Sequence, residues 1–322
     1  FKRLSEGANL VPVVRKLIAD RETPVSVLAR LVDDENVFLL ESVEAGERFG
    51  RYSFIGLNPR GVFSVEEGRA YYADADGKRE LDAPEGPFMA LRGLLKGIRP
   101  AVVPELPPLF GGAVGYLGYE TVREFERLPE PKPGLDGPTS AMLITDEMII
   151  FDNVRHTMML SVCVRPGEFG TLKEAYDHAV RRLDAISERL RRPAAAASAG
   201  TGETPELVSN CGRETYMEMV KKARRHIYDG DIIQVVLSQK FTAETDIPPL
   251  QLYRALRLVN PSPYTFFLKI GARILISSSP ETLCKLDNGT AILRPIAGTR
   301  PRGKTTAEDI AFADELLRDK LT

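Results

Sequence analysis

Apolar positions change their period several times along the chain, and each change marks an element. The clearest helical spacing runs through Leu172, Ala175, Tyr176, Ala179, Val180, Leu183, Ile186 and Leu190, which recur every three or four positions and stop at Pro193. A second amphipathic helix places Tyr216, Met219, Val220, Ala223 and Ile227 on one face, with Gly230 as its C-terminal cap. Residues 11–20 also read as helical, and further helices are predicted over 25–32 after Pro24, 87–96 with Gly97 as the stop, 250–258 and 307–320.

Strand-like runs cover residues 36–41, then 64–73 around the turn at Glu66-Glu67-Gly68-Arg69. Residues 141–151 and 157–164 read as two strands around Asp152-Asn153, and 232–241 as another. Residues 264–270 and 273–278 pair through Gly271, and 282–286 and 290–293 flank Asp287-Asn288-Gly289, a strong hairpin signal. Residues 110–119 are rich in glycine and apolar side chains but lack the dinucleotide spacing and the Lys-Ser/Thr ending of a phosphate loop. A glycine-rich strand lying close to another backbone is the expectation there. Strands arrive as antiparallel hairpins, so the fold class is α+β rather than a doubly wound sheet. Residues 194–206 are rich in Ala, Ser, Gly and Pro and show no periodicity, which marks a linker. The division is therefore 1–192, a linker over 193–207, and 208–322.

Composition narrows the function more than it shapes the fold. With 43% hydrophobic and 27% charged residues over 322 positions, the chain can bury a large core. A net charge of −2 suggests neither a nucleic-acid surface nor a polybasic membrane patch. Cys163, Cys211 and Cys284 are odd in number and far apart, so a disulfide framework is not expected and a reducing, cytoplasmic compartment is. His156, His178 and His226 do not cluster, which argues against a zinc site or a histidine-based triad. No run is apolar enough to span a bilayer, and no signal peptide is visible.

The segment richest in candidate chemistry is Pro295-Ile296-Ala297-Gly298-Thr299-Arg300-Pro301-Arg302-Gly303. Its prolines and glycines fix a tight turn, and its amides, Thr hydroxyl and guanidinium groups suit a carboxylate-rich ligand. A plain Gly/Pro loop with solvated arginines explains the same residues, and Arg300 and Arg302 remain open between surface charge and pocket.

Three further segments precede this turn: Asp231-Ile232-Ile233-Gln234-Val235-Val236-Leu237-Ser238-Gln239, Asn260-Pro261-Ser262-Pro263-Tyr264 and Ser278-Ser279-Pro280-Glu281. Upstream stand Leu39-Leu40-Glu41-Ser42 and the Gly-Gly-Ala-Val-Gly-Tyr segment from Gly111. In order and spacing these resemble the chorismate-utilising enzymes, and within them the anthranilate-forming branch. The resemblance runs from about Val37 to Thr306. It implies antiparallel sheets packed face to face with helices outside.

Two positions separate the branches of that family. Water-using members resemble one another in carrying a lysine base where this chain has Gln234, and a neutral amide cannot take a proton near neutral pH. Aminodeoxychorismate-forming members carry a lysine nucleophile where this chain has Ala297. With both lysines absent, the resemblance implies direct attack by ammonia on chorismate, giving anthranilate and pyruvate. It implies Glu281 as general acid on the departing 4-hydroxyl, against the simpler reading of a carboxylate at a helix start after Pro280. It implies chorismate contacts from Ala297, Gly298 and Thr299. Leu40, Glu41, Ser42, Pro263, Tyr264 and Thr265 resemble the two halves of a tryptophan feedback site, with Thr265 standing where many relatives have Met or another apolar residue. Ammonia is implied to come from a glutamine amidotransferase subunit. Mg²⁺ is implied too, with its ligands expected beyond Thr322; the chain begins at Phe1 and reads as a piece of a longer protein. Two alternatives stay open: an inactive fragment that binds tryptophan at most, and an aminodeoxychorismate synthase.

Overall fold

The computed structural model describes residues 1–42, 50–129, 137–194, 204–287, 289–293 and 299–318. Strands follow in the order β1 (Val11–Ile18), β2 (Asn36–Glu41), β3 (Tyr52–Leu57), β4 (Gly61–Glu66), β5 (Arg69–Asp74), β6 (Gly77–Glu80), β7 (Gly112–Leu117), β8 (Ser140–Thr145), β9 (Glu147–Asp152), β10 (Thr157–Val164), β11 (Val208–Ser209), β12 (Phe241–Thr242), β13 (Tyr264–Ile270), β14 (Arg273–Ser279), β15 (Lys285–Asp287) and β16 (Thr290–Ile292). The helices are α1 (Lys2–Ser5), α2 (Pro24–Leu28), α3 (Pro87–Leu95), α4 (Leu172–Arg191), α5 (Arg213–Tyr228), α6 (Pro249–Val259) and α7 (Thr306–Arg318).

Two antiparallel sheets dominate. One has seven strands in the order β1-β10-β9-β3-β2-β13-β14, and the other has five in the order β6-β5-β4-β8-β7. Strand periodicity sorts their side chains into layers. Leu39, Ile55, Ile149, Leu160 and Phe267 face one side of the larger sheet, where they meet Val27 and Leu28 of α2, Leu183 and Ile186 of α4, and Tyr253 of α6. Phe38, Met148, Ile150, Met159 and Leu268 face the other side and pack against Leu143 of the smaller sheet. The far face of the smaller sheet, with Phe63 and Tyr72, is covered by Ala90 of α3. The expected α+β arrangement of face-to-face sheets with outer helices is therefore observed.

The chain crosses from one sheet to the other at Asp146. Residues 141–151 were expected to form a single strand. They form β8 in the smaller sheet and β9 in the larger one, because Asp146 breaks the alternation between them. Arg165 clamps its carboxylate at 2.5 and 3.3 Å, and the Cys163 amide donates to its carbonyl at 2.7 Å.

Three other expectations need correction. The stretch 11–20 forms no helix, and its first eight residues are strand β1: Val11, Val13 and Val14 are β-branched, Pro12 lacks an amide donor, and all eight pair with β10. Its edge position tolerates the proline. The helix expected over 25–32 is only the five residues of α2, capped by a reciprocal Thr23–Ser26 box. The strand expected over 232–241 survives only as Phe241–Thr242, paired with β11. Ile233 and Val236 are 96% and 85% exposed, and an apolar run with no adjacent ladder has nothing to hold it extended.

Two strands from beyond residues 193–207, β13 and β14, complete the larger sheet. The remainder of the second part is different. No described residue between 204 and 252, or after Leu268, is buried, and the apolar face of α5 has no buried member.

The glycine-rich run became β7, as its composition suggested. A Cβ at Gly115 would sit 1.9 Å from the Ala141 carbonyl oxygen, a backbone atom that cannot swing aside. Gly115→Ala should therefore force β7 away from β8 and cost about 1–3 kcal/mol of stability. Urea denaturation would read this as a lower midpoint; an unchanged midpoint would show that the two strands are not packed this closely.

Candidate functional site

The register between β2 and β13 builds the site. Glu41 lies opposite Thr265, and Leu40 opposite Phe266. One further antiparallel step brings Ser42 level with Tyr264. On the other flank Leu40 lies opposite Phe54 of β3, so Tyr52 stands on the same face, two residues before Phe54. The two rings are 6.1 Å apart between centroids, and the Arg51 guanidinium lies 4.8 Å from the Tyr52 ring centre.

Alternation now divides the expected tryptophan residues between two faces. Leu40, Ser42 and Tyr264 share the face that carries Phe38, Phe266 and Leu268, which looks toward the smaller sheet. Glu41 and Thr265 share the face of Leu39 and Phe267, which looks toward the helices. Thr265 is buried there, its hydroxyl donating to the Ser262 carbonyl at 3.3 Å. Pro263 fixes the turn between the buried Ser262 and β13.

Glu41 is buried among helix contacts. The Tyr253 hydroxyl donates to Oε2 at 2.6 Å, and Arg257 Nε donates to Oε1 at 2.8 Å. The Tyr253 phenol is pushed well above its ordinary range, first by burial and then by the Glu41 charge, so it stays a proton donor at every working pH. Tyr253, Arg257 and Tyr52 were not picked out from sequence. The signal for the first two was a four-residue spacing that puts a phenol and a guanidinium on the apolar side of α6.

Ser42 is the unusual member. Its hydroxyl oxygen is shielded from solvent and has no hydrogen-bond partner among the described residues. Buried polar atoms are normally paired, so this oxygen marks a place where an additional polar group would be accommodated.

The Asn260–Tyr264 and Ser278–Glu281 segments are brought together. Tyr264 lies opposite Ser279, the Ser278 hydroxyl donates to the Asn260 carbonyl at 2.5 Å, and the Thr282 hydroxyl donates to the Tyr264 phenol. Glu281 is not at a helix start. It follows β14 in a serine turn, with its amide 3.4 Å from Ser279 Oγ, and it is exposed. Ser279 and Pro280 continue an edge strand into a turn, and this local geometry displaces the helix that Pro280 suggested.

Gln234 is exposed on the loop that precedes β12. That loop is tied elsewhere: Leu237 accepts from the Tyr216 hydroxyl at 3.5 Å, and Gln239 donates to Ser209 Oγ at 2.7 Å. Ala297 and Gly298 lie outside the described residues. Thr299 is exposed, and its carbonyl accepts from Arg300 at 3.1 Å. Arg300 also pairs with Glu315 at 2.9 Å and Arg302 with Asp309 at 2.7 Å, so both arginines bind the turn to α7. Among the described residues no three His, Cys, Asp or Glu side chains converge as metal ligands. The described residues therefore do not form a Mg²⁺ site. No described helix is long and apolar enough to cross a membrane.

The chain belongs to the chorismate-binding enzyme family, whose model matches residues 35–320. Among curated relatives it is 38% identical to the anthranilate synthase component 1 of Acetivibrio thermocellus over 328 residues, and 40% identical to that of Acinetobacter calcoaceticus over 336. Each alignment takes in 99% of this chain but 66% of the relative, so the chain spans just under two thirds of their length. Among solved structures, anthranilate synthase component I from Streptococcus pneumoniae TIGR4 superposes with a TM-score of 0.67 at 26% identity, covering 94% of this chain and 64% of that one. The menaquinone-specific isochorismate synthase MenF of Escherichia coli shares the fold, with a TM-score of 0.58 at 14% identity over 99% of this chain and 63% of its own.

The Ser42 hydroxyl yields a stability prediction. Ser42→Ala deletes a group that makes no hydrogen bond among the described residues, so it should leave stability unchanged or raise it, by up to about 1 kcal/mol. Thermal unfolding measures this, and a clear loss of stability would mean that the hydroxyl has a partner.

Proposed function

We propose that this chain is part of an anthranilate synthase large component, which turns chorismate and ammonia into anthranilate and pyruvate. The observation that carries this reading is the 38–40% identity to proteins of that name over 99% of the chain. Gln234 supports it at the level of one side chain, since an amide has no proton-accepting capacity with which to activate water. Ala297 supports it likewise, because a methyl group offers no nucleophile in place of ammonia.

In this scheme the nitrogen of ammonia forms a bond to C2 of chorismate as the C4–oxygen bond breaks. Glu281 gives the departing hydroxyl its proton, and water leaves. Loss of the C2 proton with cleavage of the C3–oxygen bond then releases the side chain as pyruvate and creates the aromatic ring. Glu281 is exposed, so bound substrate would have to cover it during this step. Thr299 and Gly298 would supply hydroxyl and amide donors to a chorismate carboxylate. Ammonia would come from a glutamine amidotransferase partner. Mg²⁺ would be held by residues other than those described.

The regulatory part of the proposal is tryptophan binding at the Ser42–Tyr264 strand ends. Tyr52, Tyr264 and Pro263 offer apolar and aromatic surface to an indole, and the Ser42 hydroxyl, which has no partner among the described residues, offers one to the amino-acid end. Leu40 underlies this surface on the same face.

The test supplies chorismate, Mg²⁺ and ammonium to this chain and to the protein at the full length of its relatives, and follows anthranilate fluorescence with product analysis. Anthranilate and pyruvate are expected in equal amounts from the longer protein. Isochorismate as the main product would overturn the interpretation of Gln234, and accumulating aminodeoxychorismate would favour the other ammonia-using branch. Glu281→Gln should lower kcat by about 10²–10⁴-fold, as loss of a general acid does.

A further inference from the structure

We propose that Tyr253 and Arg257 are positioning residues for the tryptophan site, acting through Glu41 from the opposite face of the sheet. This rests on the tryptophan reading above and adds to it the device that holds the site in register.

The geometry points one way. Glu41 and Ser42 are consecutive, yet alternation sends Glu41 toward the helices and Ser42 toward the other sheet. A ligand seated against Ser42 and Tyr264 therefore does not reach the Glu41 carboxylate, which is occupied by Tyr253 and by Arg257 at 2.6 and 2.8 Å. Both partners lie in the last two turns of α6. That helix ends at Val259 and runs directly into Asn260-Pro261-Ser262-Pro263, the turn that delivers Tyr264 to the site. The three side chains thus fasten the end of α6 to the end of β2. They fix the turn's position relative to Ser42 from behind.

The backbone ladder alone does not achieve this. The β2–β13 pairing ends at Glu41 and Thr265, so Ser42 and Tyr264 lie just beyond its last pair. Past that point the separation of the two residues is set by what holds the incoming turn. On one side this is the Glu41 cluster. On the other side it is the Thr282–Tyr264 and Ser278–Asn260 hydrogen bonds. The charges are matched: one buried carboxylate accepts from a guanidinium and a phenol, and burial makes both bonds strong and geometrically demanding. Glu41→Gln would keep the shape but lose the charge that orients Arg257.

Calorimetric titration of L-tryptophan into the folded chain tests this with four variants: Tyr253→Phe, Arg257→Met, Arg257→Lys and the double variant Glu41→Gln/Arg257→Met. If freeing α6 leaves the turn correctly placed about a tenth of the time, apparent affinity falls about tenfold, as it scales with the competent fraction. Arg257→Met should show that loss, Arg257→Lys should recover part of it, and Tyr253→Phe should lose less. The double variant should bind no more weakly than Arg257→Met, because a unit is lost once. Tyr253→Phe removes a single hydroxyl, and circular dichroism on each variant separates weaker binding from unfolding. Wild-type binding with unchanged affinity in folded Tyr253→Phe and Arg257→Met would overturn the positioning role while leaving the tryptophan site intact. Absence of heat from the wild-type chain at millimolar tryptophan would overturn the site itself, and the positioning role with it.

Discussion

The pairing of β2 with β13 is the constraint on which the rest depends. It joins a strand near the start of the chain to one near its end and completes the larger sheet. Without it Leu39 and Phe267 would have no shared face to present to Tyr253. Because side chains alternate with a period of two, the same register decides which residues look toward the helices and which toward the second sheet. A slip of one residue would exchange Glu41 with Ser42. It would bury a hydroxyl among helix side chains and send a carboxylate into the layer between the sheets, where Phe38, Met148 and Leu268 offer it no partner. The Glu41–Arg257–Tyr253 cluster thus selects the register as well as fastening the helix, since only one alignment satisfies the charge.

A second constraint acts at Asp146, where the chain passes between sheets. The two layers share a core only because β8 and β9 are consecutive and nearly continuous. Arg165 neutralises the carboxylate at that crossing, and Glu147 just beyond it is held by Arg182 at 2.5 Å and by Asn58 at 2.7 Å. Acidic residues at a sheet-to-sheet bend break the apolar alternation, and arginines from β10's end and from α4 compensate. The β2–β13 ends and this crossing therefore belong to the same seven-stranded sheet.

Much of this was legible in the sequence where a pattern was local. The spacing of α4 and the turn at Gly271 each followed from a few neighbouring residues, and so did the close-packed glycine strand β7. The failures came where non-local pairing outweighed local preference. Residues 11–18 alternate too irregularly to declare a strand until β10 lies alongside them. Residues 232–240 carry strong β preference yet have no described strand to join, so preference alone did not make them one. At the site, the motifs around Ser42 and Tyr264 were visible, but their division between two faces was not. That division depends on a register linking positions more than two hundred residues apart. Tyr253 and Arg257 were silent for the same reason, since nothing near them in sequence announces the carboxylate they serve. Ala297 and Gly298 lie outside the described residues, so only their chemistry was legible.

The distance along the chain between β2 and its partner has a consequence for how the protein is made. Tyr253 and Glu41 are 212 positions apart. At a synthesis rate of roughly 5–20 residues per second, β2 waits roughly ten to forty seconds for β13 to emerge from the ribosome. During that interval β3 can pair with one edge of β2 while the other edge, with Val37 and Leu39 beside it, stands open to solvent and to other chains. Closing so long a loop adds little to the equilibrium cost, because that entropy grows only logarithmically with length. It matters for kinetics, where pairings of high sequence separation form late. The same ladder that orders the finished site therefore sets the period in which the nascent chain is most exposed to wrong partners.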